Sequence, residues 1–286
     1  MSQPDPDPRS SAGSGPARGI SVVLPAHDEE AVIEAVAVRC GAALARLALD
    51  FEIIIVDDGS RDRTGELADA IAARDPRVRA VHNVTNLGYG GALRAGFAAA
   101  RRPLVVFIDA DGQFDLADLE RLLPLAEAGN AAVVGYRARR RDPLLRRLNA
   151  WGWNRVVRLV LRVRVRDVDC AFKLFETELI QRLDIRSSGA MINAEMLAKL
   201  ARLGISPPQV PVTHYPRVSG RSSGANPGVI LRAFVELWRL RASLLRWQPS
   251  SVSPPDASGV ELVGRSALPA PAWASTGRVA THAKRP

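Results

Sequence analysis

The chain has 286 residues, a formal net charge of +9 and a 47% hydrophobic share, enough apolar material for one large globular core. Its two cysteines, Cys40 and Cys170, exclude a disulfide framework, and no apolar run reaches the roughly 18–20 residues needed to span a bilayer. The basic excess favours anionic partners: phosphorylated substrates, acidic lipid headgroups or nucleic acid.

Residues 1–18 are Pro-, Ser- and Gly-rich without the apolar segment of a secretory signal, and read as a disordered arm. A working domain over 19–248 follows, then a second Ser/Pro/Ala-rich flexible tail over 249–286. Within the domain, Ile20 to Leu24 reads as a short strand closed by Pro25, and an Ala-rich helix spans about 29–47. Phe51 to Val56 is a second apolar strand that runs into Asp57-Asp58-Gly59-Ser60, and Asp62 can cap the next helix, which continues to Arg74. Val78 to His82 is a third strand. Asn86-Leu87-Gly88-Tyr89-Gly90-Gly91 then opens a helix through Ala100. Leu104 to Ile108 has the unbroken β-branched character of a strand buried on both faces, and it ends in Asp109-Ala110-Asp111-Gly112-Gln113. A helix over 115–128 and a strand over 131–135 complete the series. This alternation predicts an α/β fold with a mostly parallel sheet and helices on both faces.

In such sheets ligands bind beyond the carboxyl ends of the strands. Three of those ends are loaded: Pro25-Ala26-His27-Asp28-Glu29-Glu30, Asp57-Asp58-Gly59-Ser60, and Asp109-Ala110-Asp111-Gly112-Gln113. One acidic strand end means little, because carboxylates commonly open helices. Three around one crevice point to a nucleotide site, in which carboxylates accept hydrogen bonds from ribose or base. The pair Asp109 and Asp111 offers two hard oxygen ligands that suit a divalent cation still needing phosphate oxygens. The Gly-rich turn at 88–91 is neither a P-loop nor a dinucleotide fingerprint, since no Gly-Lys-Ser/Thr follows and the spacing is wrong. It reads as a helix N-terminus with close backbone packing.

Together with Val56-Asp57-Asp58-Gly59-Ser60, Asn86-Leu87-Gly88 and the segment Asp167-Val168-Asp169-Cys170-Ala171-Phe172-Lys173, these motifs resemble family 2 glycosyltransferases with the GT-A fold. The chain is similar in particular to the dolichol-phosphate mannosyltransferase-like branch, which moves a sugar from a nucleotide sugar to a polyprenyl phosphate. The resemblance implies that Pro25, Asp28 and Glu29 line the nucleotide pocket and that Asp57 holds base or ribose. It implies that Asp109 and Asp111, with Gln113 nearby, bind the ribose–cation–diphosphate unit, the cation being Mg²⁺ or Mn²⁺ and the donor a GDP- or UDP-sugar. Asp167 matches an acidic residue near the acceptor, and Arg217, Arg221 and Ser222 match a mobile basic loop over the diphosphate. Asp28, Ala171 and Ser223 depart from the family's usual Asn, Gly and Lys. A phosphate acceptor needs no strong base, whereas a hydroxyl acceptor would make Asp167 the candidate base; the plainer alternative for Asp167 is a salt bridge to a nearby arginine. A GT-A-like module that binds a nucleotide without turnover is the rival class.

Residues 139–166 and 227–247 interleave Arg with Trp, Leu and Val at near-helical spacing, including Trp151, Trp153, Arg155, Arg158 and Arg162. Arg-rich amphipathic helices of this composition lie in membrane interfaces. The expectation is a protein held peripherally on the cytoplasmic face of an anionic membrane; nucleic acid is set aside because it does not explain the acidic crevice.

Overall fold

The computed structural model describes residues 19–47, 49–138, 144–215 and 227–247, with side chains omitted at 144–150 and 227–232. Seven strands form one sheet: β1 (Gly19–Ala26), β2 (Asp50–Asp57), β3 (Val78–His82), β4 (Leu104–Phe107), β5 (Ala132–Arg137), β6 (Lys173–Glu176) and β7 (Gln209–Val212). Their order is β3-β2-β1-β4-β6-β5-β7. All pairings are parallel except those of β6, which runs antiparallel to both β4 and β5. The order turns back between β1 and β4, so their carboxyl ends flank the crevice where this architecture takes its ligand.

β1 and β4 are buried over almost their whole length because neighbours cover both faces. β1 continues through Pro25 to Ala26 rather than stopping at the proline. Its ladder to β4 ends at the Val23–Phe107 pair, whereas that to β2 continues to Ala26 and Asp57, so Pro25 stands where one flank is already open.

The helices are α1 (Ile33–Arg46), α2 (Thr64–Arg74), α3 (Tyr89–Ala99), α4 (Leu119–Glu127), α5 (Leu144–Leu161), α6 (Thr177–Gln181), α7 (Met191–Arg202) and α8 (Pro227–Arg246), with a 3₁₀ turn at Leu116–Asp118. α1 and α2 touch each other along their side of the sheet. The crossover through α3 runs in the opposite direction, so right-handedness carries it to the other face, where it meets α6. There Gly96 lies against Val23 and Val56 so closely that any side chain would displace them.

A second apolar cluster joins α5, α7 and α8 through Val157, Met191, Leu197, Leu237, Leu240 and Leu244, and reaches the sheet at Val134. The expected amphipathic segments therefore exist as α5 and α8, each with one side buried. The arm over 1–18 and the tail over 249–286 lie outside the described residues.

Candidate functional site

The loops after β1 and β2 are tied together by side-chain-to-backbone hydrogen bonds. The Asp28 amide donates to Ser60 Oγ (3.1 Å), Asp28 Oδ1 accepts from the Arg61 amide (2.8 Å), and the Glu29 amide donates to Thr64 Oγ1 (2.9 Å). Asp28 adopts a left-handed backbone, φ 55°, which the short acidic side chain tolerates better than most. Asp62 receives the amides of both Thr64 and Glu30, so it ties the loops together and also steadies the start of α2. Asp57 is buried; Oδ1 accepts from the Ser60 amide (3.0 Å), and Oδ2 faces His82 Nδ1 (3.2 Å). Burial raises its pKa, but the Ser60 and His82 hydrogen bonds outweigh burial and hold the carboxyl below its ordinary value. Asp58 does scaffold work, accepting from Asn83 Nδ2 (2.7 Å) and the Leu87 amide (2.9 Å).

Across the switch point, Asp109 and Asp111 follow β4. Asp109 Oδ1 accepts from the Tyr89 hydroxyl at 2.8 Å, and Asp111 Oδ1 accepts from the Gln113 amide at 3.0 Å. Gly112 makes the turn with φ 74°, a conformation that suits glycine. Burial, reinforced by the neighbouring Asp111 charge, pushes the Asp109 carboxyl up to about 7. Among the described residues no three His, Cys, Asp or Glu side chains converge as a closed metal site. Two carboxylates that repel each other beside a crevice fit a hard divalent cation whose remaining ligands are phosphate oxygens and water.

Gln113 also anchors what comes next. Its Nε2 donates to the Tyr215 carbonyl (3.0 Å), its own carbonyl accepts from the Tyr215 amide (2.7 Å), and Phe114 bridges to His214. The chain is thus pinned beside Asp111 one residue before the segment that holds Arg217, Arg221 and Ser222, which lie outside the described residues.

The Gly-rich turn packs as its composition suggests. Gly88 has φ 78°, the Gly90 amide donates to the Ser188 carbonyl (2.7 Å), and a Cβ on Gly90 would collide with the Ser187 carbonyl. That contact sets Tyr89, the first residue of α3, against Asp109.

Asp167 forms a two-pronged ion pair with Arg137. Arg137 Nε meets Oδ2 at 2.7 Å and Nη2 meets Oδ1 at 2.8 Å, with both side chains largely buried. The salt-bridge alternative is thus the arrangement observed, with Arg137 at the end of β5 as the partner. Burial opposes the charge on Arg137, but Asp167 outweighs it and raises the guanidinium above its ordinary value. Behind the 167–170 turn stands Lys173, fully buried at the start of β6. Tyr89, Arg137, Lys173 and Asn193 were not singled out from sequence. Only an Arg at a strand end carried any signal, and a buried lysine reads locally as a solvated one.

On the outer side of the second cluster, Trp151, Arg155, Leu159 and Arg162 are exposed on and just beyond α5, as are Phe234, Trp238, Arg239, Leu245 and Arg246 on α8. Phe234, Trp238 and Leu245 fall within about 40° of one another at roughly 100° per residue, forming one apolar stripe. Trp153 differs from expectation: its ring packs edge-on against Phe234 at 5.4 Å and joins α5 to α8. Arg158 also turns inward, donating to the Asn154 carbonyl at 3.2 Å. Among the described residues no helix is long and apolar enough to cross a membrane.

Comparison with known proteins agrees with this geometry. Glycosyltransferase AglD of Haloferax volcanii is 37% identical over 207 residues, covering 69% of this chain but only 33% of that relative's length. The undecaprenyl-phosphate mannosyltransferase of Micrococcus luteus is 28% identical over 241 residues, covering 80% of this chain and 96% of the relative. Among solved structures, glucosyl-3-phosphoglycerate synthase from Mycobacterium tuberculosis, crystallised with Mn²⁺, UDP and phosphoglyceric acid, superposes with a TM-score of 0.55 at 26% identity. That match covers 86% of this chain and 82% of that one. Residues 21–184, which carry every acidic strand end described above, match the profile of glycosyl transferase family 2, and the chain belongs to that family.

Proposed function

We propose that the chain transfers a sugar from a nucleoside-diphosphate sugar to a polyprenyl phosphate at a membrane surface, with inversion and with a divalent cation. The observation that carries the acceptor assignment is the Arg137 fork on Asp167. The acid best placed to serve as a general base is tied up as an ion pair, which suits a nucleophile already ionised at neutral pH. A hydroxyl acceptor would need that base free. A guanidinium has more N–H donors than one carboxylate consumes, so Arg137 can also face an acceptor phosphate.

Asp57 accepts from base or ribose, with Pro25, Asp28 and Glu29 completing the nucleotide wall. Asp109 and Asp111, with Gln113 adjacent, hold the cation, Mg²⁺ or Mn²⁺, which when bound neutralises charge on the departing diphosphate. Arg217, Arg221 and Ser222 follow the segment pinned at Gln113, close enough in sequence to bring further donors to that charge. The chain's own contribution is positioning and charge stabilisation, and a single in-line displacement inverts the anomeric centre. The apolar stripe on α8 and the exposed arginines of α5 and α8 match an anionic lipid surface in chemistry. The Micrococcus relative, an undecaprenyl-phosphate mannosyltransferase matched over nearly its full length, supports the lipid acceptor. A soluble acceptor is the second reading, favoured by the name of the structural neighbour.

The test uses purified protein with labelled GDP- and UDP-sugars, undecaprenyl phosphate in anionic vesicles, and MgCl₂ or MnCl₂. Lipid-linked sugar is expected, abolished by chelator and reduced at least a hundredfold by Asp111→Asn. Transfer that persists in excess chelator removes the cation from the mechanism. Product on soluble hydroxyl acceptors but none on the lipid phosphate reassigns the acceptor.

A further inference from the structure

β2 ends on Asp57, and the parallel register sets His82, the last residue of β3, directly beside it. Side chains of paired residues share one face of a sheet, and here they meet: His82 Nδ1 lies 3.2 Å from Asp57 Oδ2. The second ring nitrogen, Nε2, lies 2.9 Å from Asp69 Oδ1 on α2. An ionised carboxylate can only accept, so each ring nitrogen must bring a hydrogen, and both bonds form together only in the imidazolium. Of the elements packed on β3, β2 presents Asp57 to the ring and α2 presents Asp69. The titratable groups of α3 turn elsewhere, Tyr89 to Asp109 and Arg94 to the Ser187 carbonyl, and the neighbouring Asp58 turns to Asn83. Space for the bridge is kept at Gly65, in the first turn of α2. A Cβ there would stand 2.7 Å from Asp57 Oδ2 and 3.6 Å from His82 Cε1. Glycine weakens a helix relative to alanine, and the close approach of this carboxylate is the packing reason for one here.

We propose that His82 is a positioning residue for nucleotide binding: its imidazolium, gripped by Asp69, holds Oδ2 of Asp57 while the Ser60 amide holds Oδ1, so the carboxylate is aimed before the nucleotide arrives. This deepens the reading of Asp57 as the acceptor for base or ribose, and it rests on that reading. Each carboxylate oxygen keeps a second lone pair for the ligand, and His82 acts through Asp57 alone. Above the raised folded pKa of His82, one hydrogen has to serve two carboxylates. The Asp57 contact is the longer of the two and is the one given up. The grip on Asp57, and with it nucleotide affinity, therefore falls as pH rises through that value.

The experiment measures affinity for UDP and for GDP with MnCl₂ by calorimetry between about pH 5.5 and about pH 8.5, together with melting temperature. The proteins are the wild type, Asp57→Asn, His82→Gln and His82→Asn. Asn places an amide N–H close to where Nδ1 stands and Gln places one near Nε2, so only the Asn variant keeps a donor for Asp57. The nucleotide phosphates and Asp109 titrate in the same range, so affinities are compared as ratios to wild type at each pH. His82→Gln should bind roughly tenfold more weakly below about pH 6.5, the loss of one hydrogen bond to a charged group. Its ratio should close toward unity as pH rises through the folded value of His82. His82→Asn should recover most of the lost affinity, although both variants melt below wild type. A merely structural histidine would lower the melting temperature in both variants and leave the affinity ratios at unity. That result overturns the proposal, as does a loss in His82→Gln that stays constant with pH, or a His82→Asn protein as weak as His82→Gln. Asp57→Asn separates the proposal from the reading beneath it. Wild-type affinity in that variant, or no binding by the wild type, removes the reading of Asp57 and positioning by His82 with it. A loss in Asp57→Asn without one in His82→Gln removes the positioning alone.

Discussion

Replacing Asp167 by Asn separates a structural from a chemical role for this residue. The Arg137–Asp167 fork has contacts of 2.7 and 2.8 Å, and its side chains are 15% and 9% exposed, so solvent screens it little. Removing one partner of a buried pair costs about 3–5 kcal/mol. Asn leaves one acceptor for the fork, which places the loss near the lower end, about 3 kcal/mol. For a domain of this size about 1 kcal/mol moves the midpoint by roughly 2–4 °C, so Asp167→Asn should melt roughly 6–12 °C below wild type. Adding Arg137→Gln should restore part of that difference, because the second change removes the stranded charge. Circular dichroism melts of the three proteins provide the test. A free general base would behave differently, with transfer abolished and the melting temperature unchanged. Melting of Asp167→Asn within about 1 °C of wild type would refute the argument.

Two further outcomes follow from surface features. Purified protein should sediment with anionic vesicles and be released by salt, since each basic side chain near such a surface contributes about 1 kcal/mol. Trp151→Ala with Trp238→Ala should weaken binding at every salt concentration, and Arg155→Gln with Arg162→Gln should flatten the salt dependence; a protein that stays in the supernatant would remove this surface from the proposal. His82 should make stability pH-dependent. Its hydrogen bond to Asp69, more than that to Asp57, raises its folded pKa above the ordinary 6.5. The contribution is therefore fully present below about pH 6.5 and is lost as pH rises through the raised folded value. The melting-temperature advantage of wild type over His82→Gln should shrink above that value, and a difference that does not change with pH would contradict the pairing.

The parts of the fold that could be read from sequence are those fixed locally. β1, β2 and β4 are continuous apolar runs because they are covered on both faces, and their acidic ends mark the crevice directly. β6 and β7 escaped notice: each is four residues long, one begins with a buried lysine and the other contains Pro211. Nothing in a local window reveals that β6 inserts antiparallel between β4 and β5, since that order is a matter of tertiary pairing. The partners of Asp109 and Asp167 were hidden for the same reason. Tyr89 and Arg137 reach them from other elements, 20 and 30 residues away in sequence. Arg217, Arg221 and Ser222 fall outside the described residues, so their assignment rests on motif alone.

The reversed direction of β6 has a consequence for how such a protein can diversify. β5 and β6 pair as the arms of a hairpin, Val134 opposite Lys173, so everything from Ala138 to Phe172, including α5, is the loop of that hairpin. Its two feet are Arg137, paired with Asp167, and the fully buried Lys173. Closing a longer loop costs only about 0.6 kcal/mol per doubling of its length. What ties the excursion down is therefore its packing: Val157 and Val168 against α7 and α8, Phe172 in the main core, and Asp167 on Arg137. A graft of residues 138–172 would have to bring the matching faces of α7 and α8 with it, while the ends of β1, β2 and β4 lie on elements it does not replace.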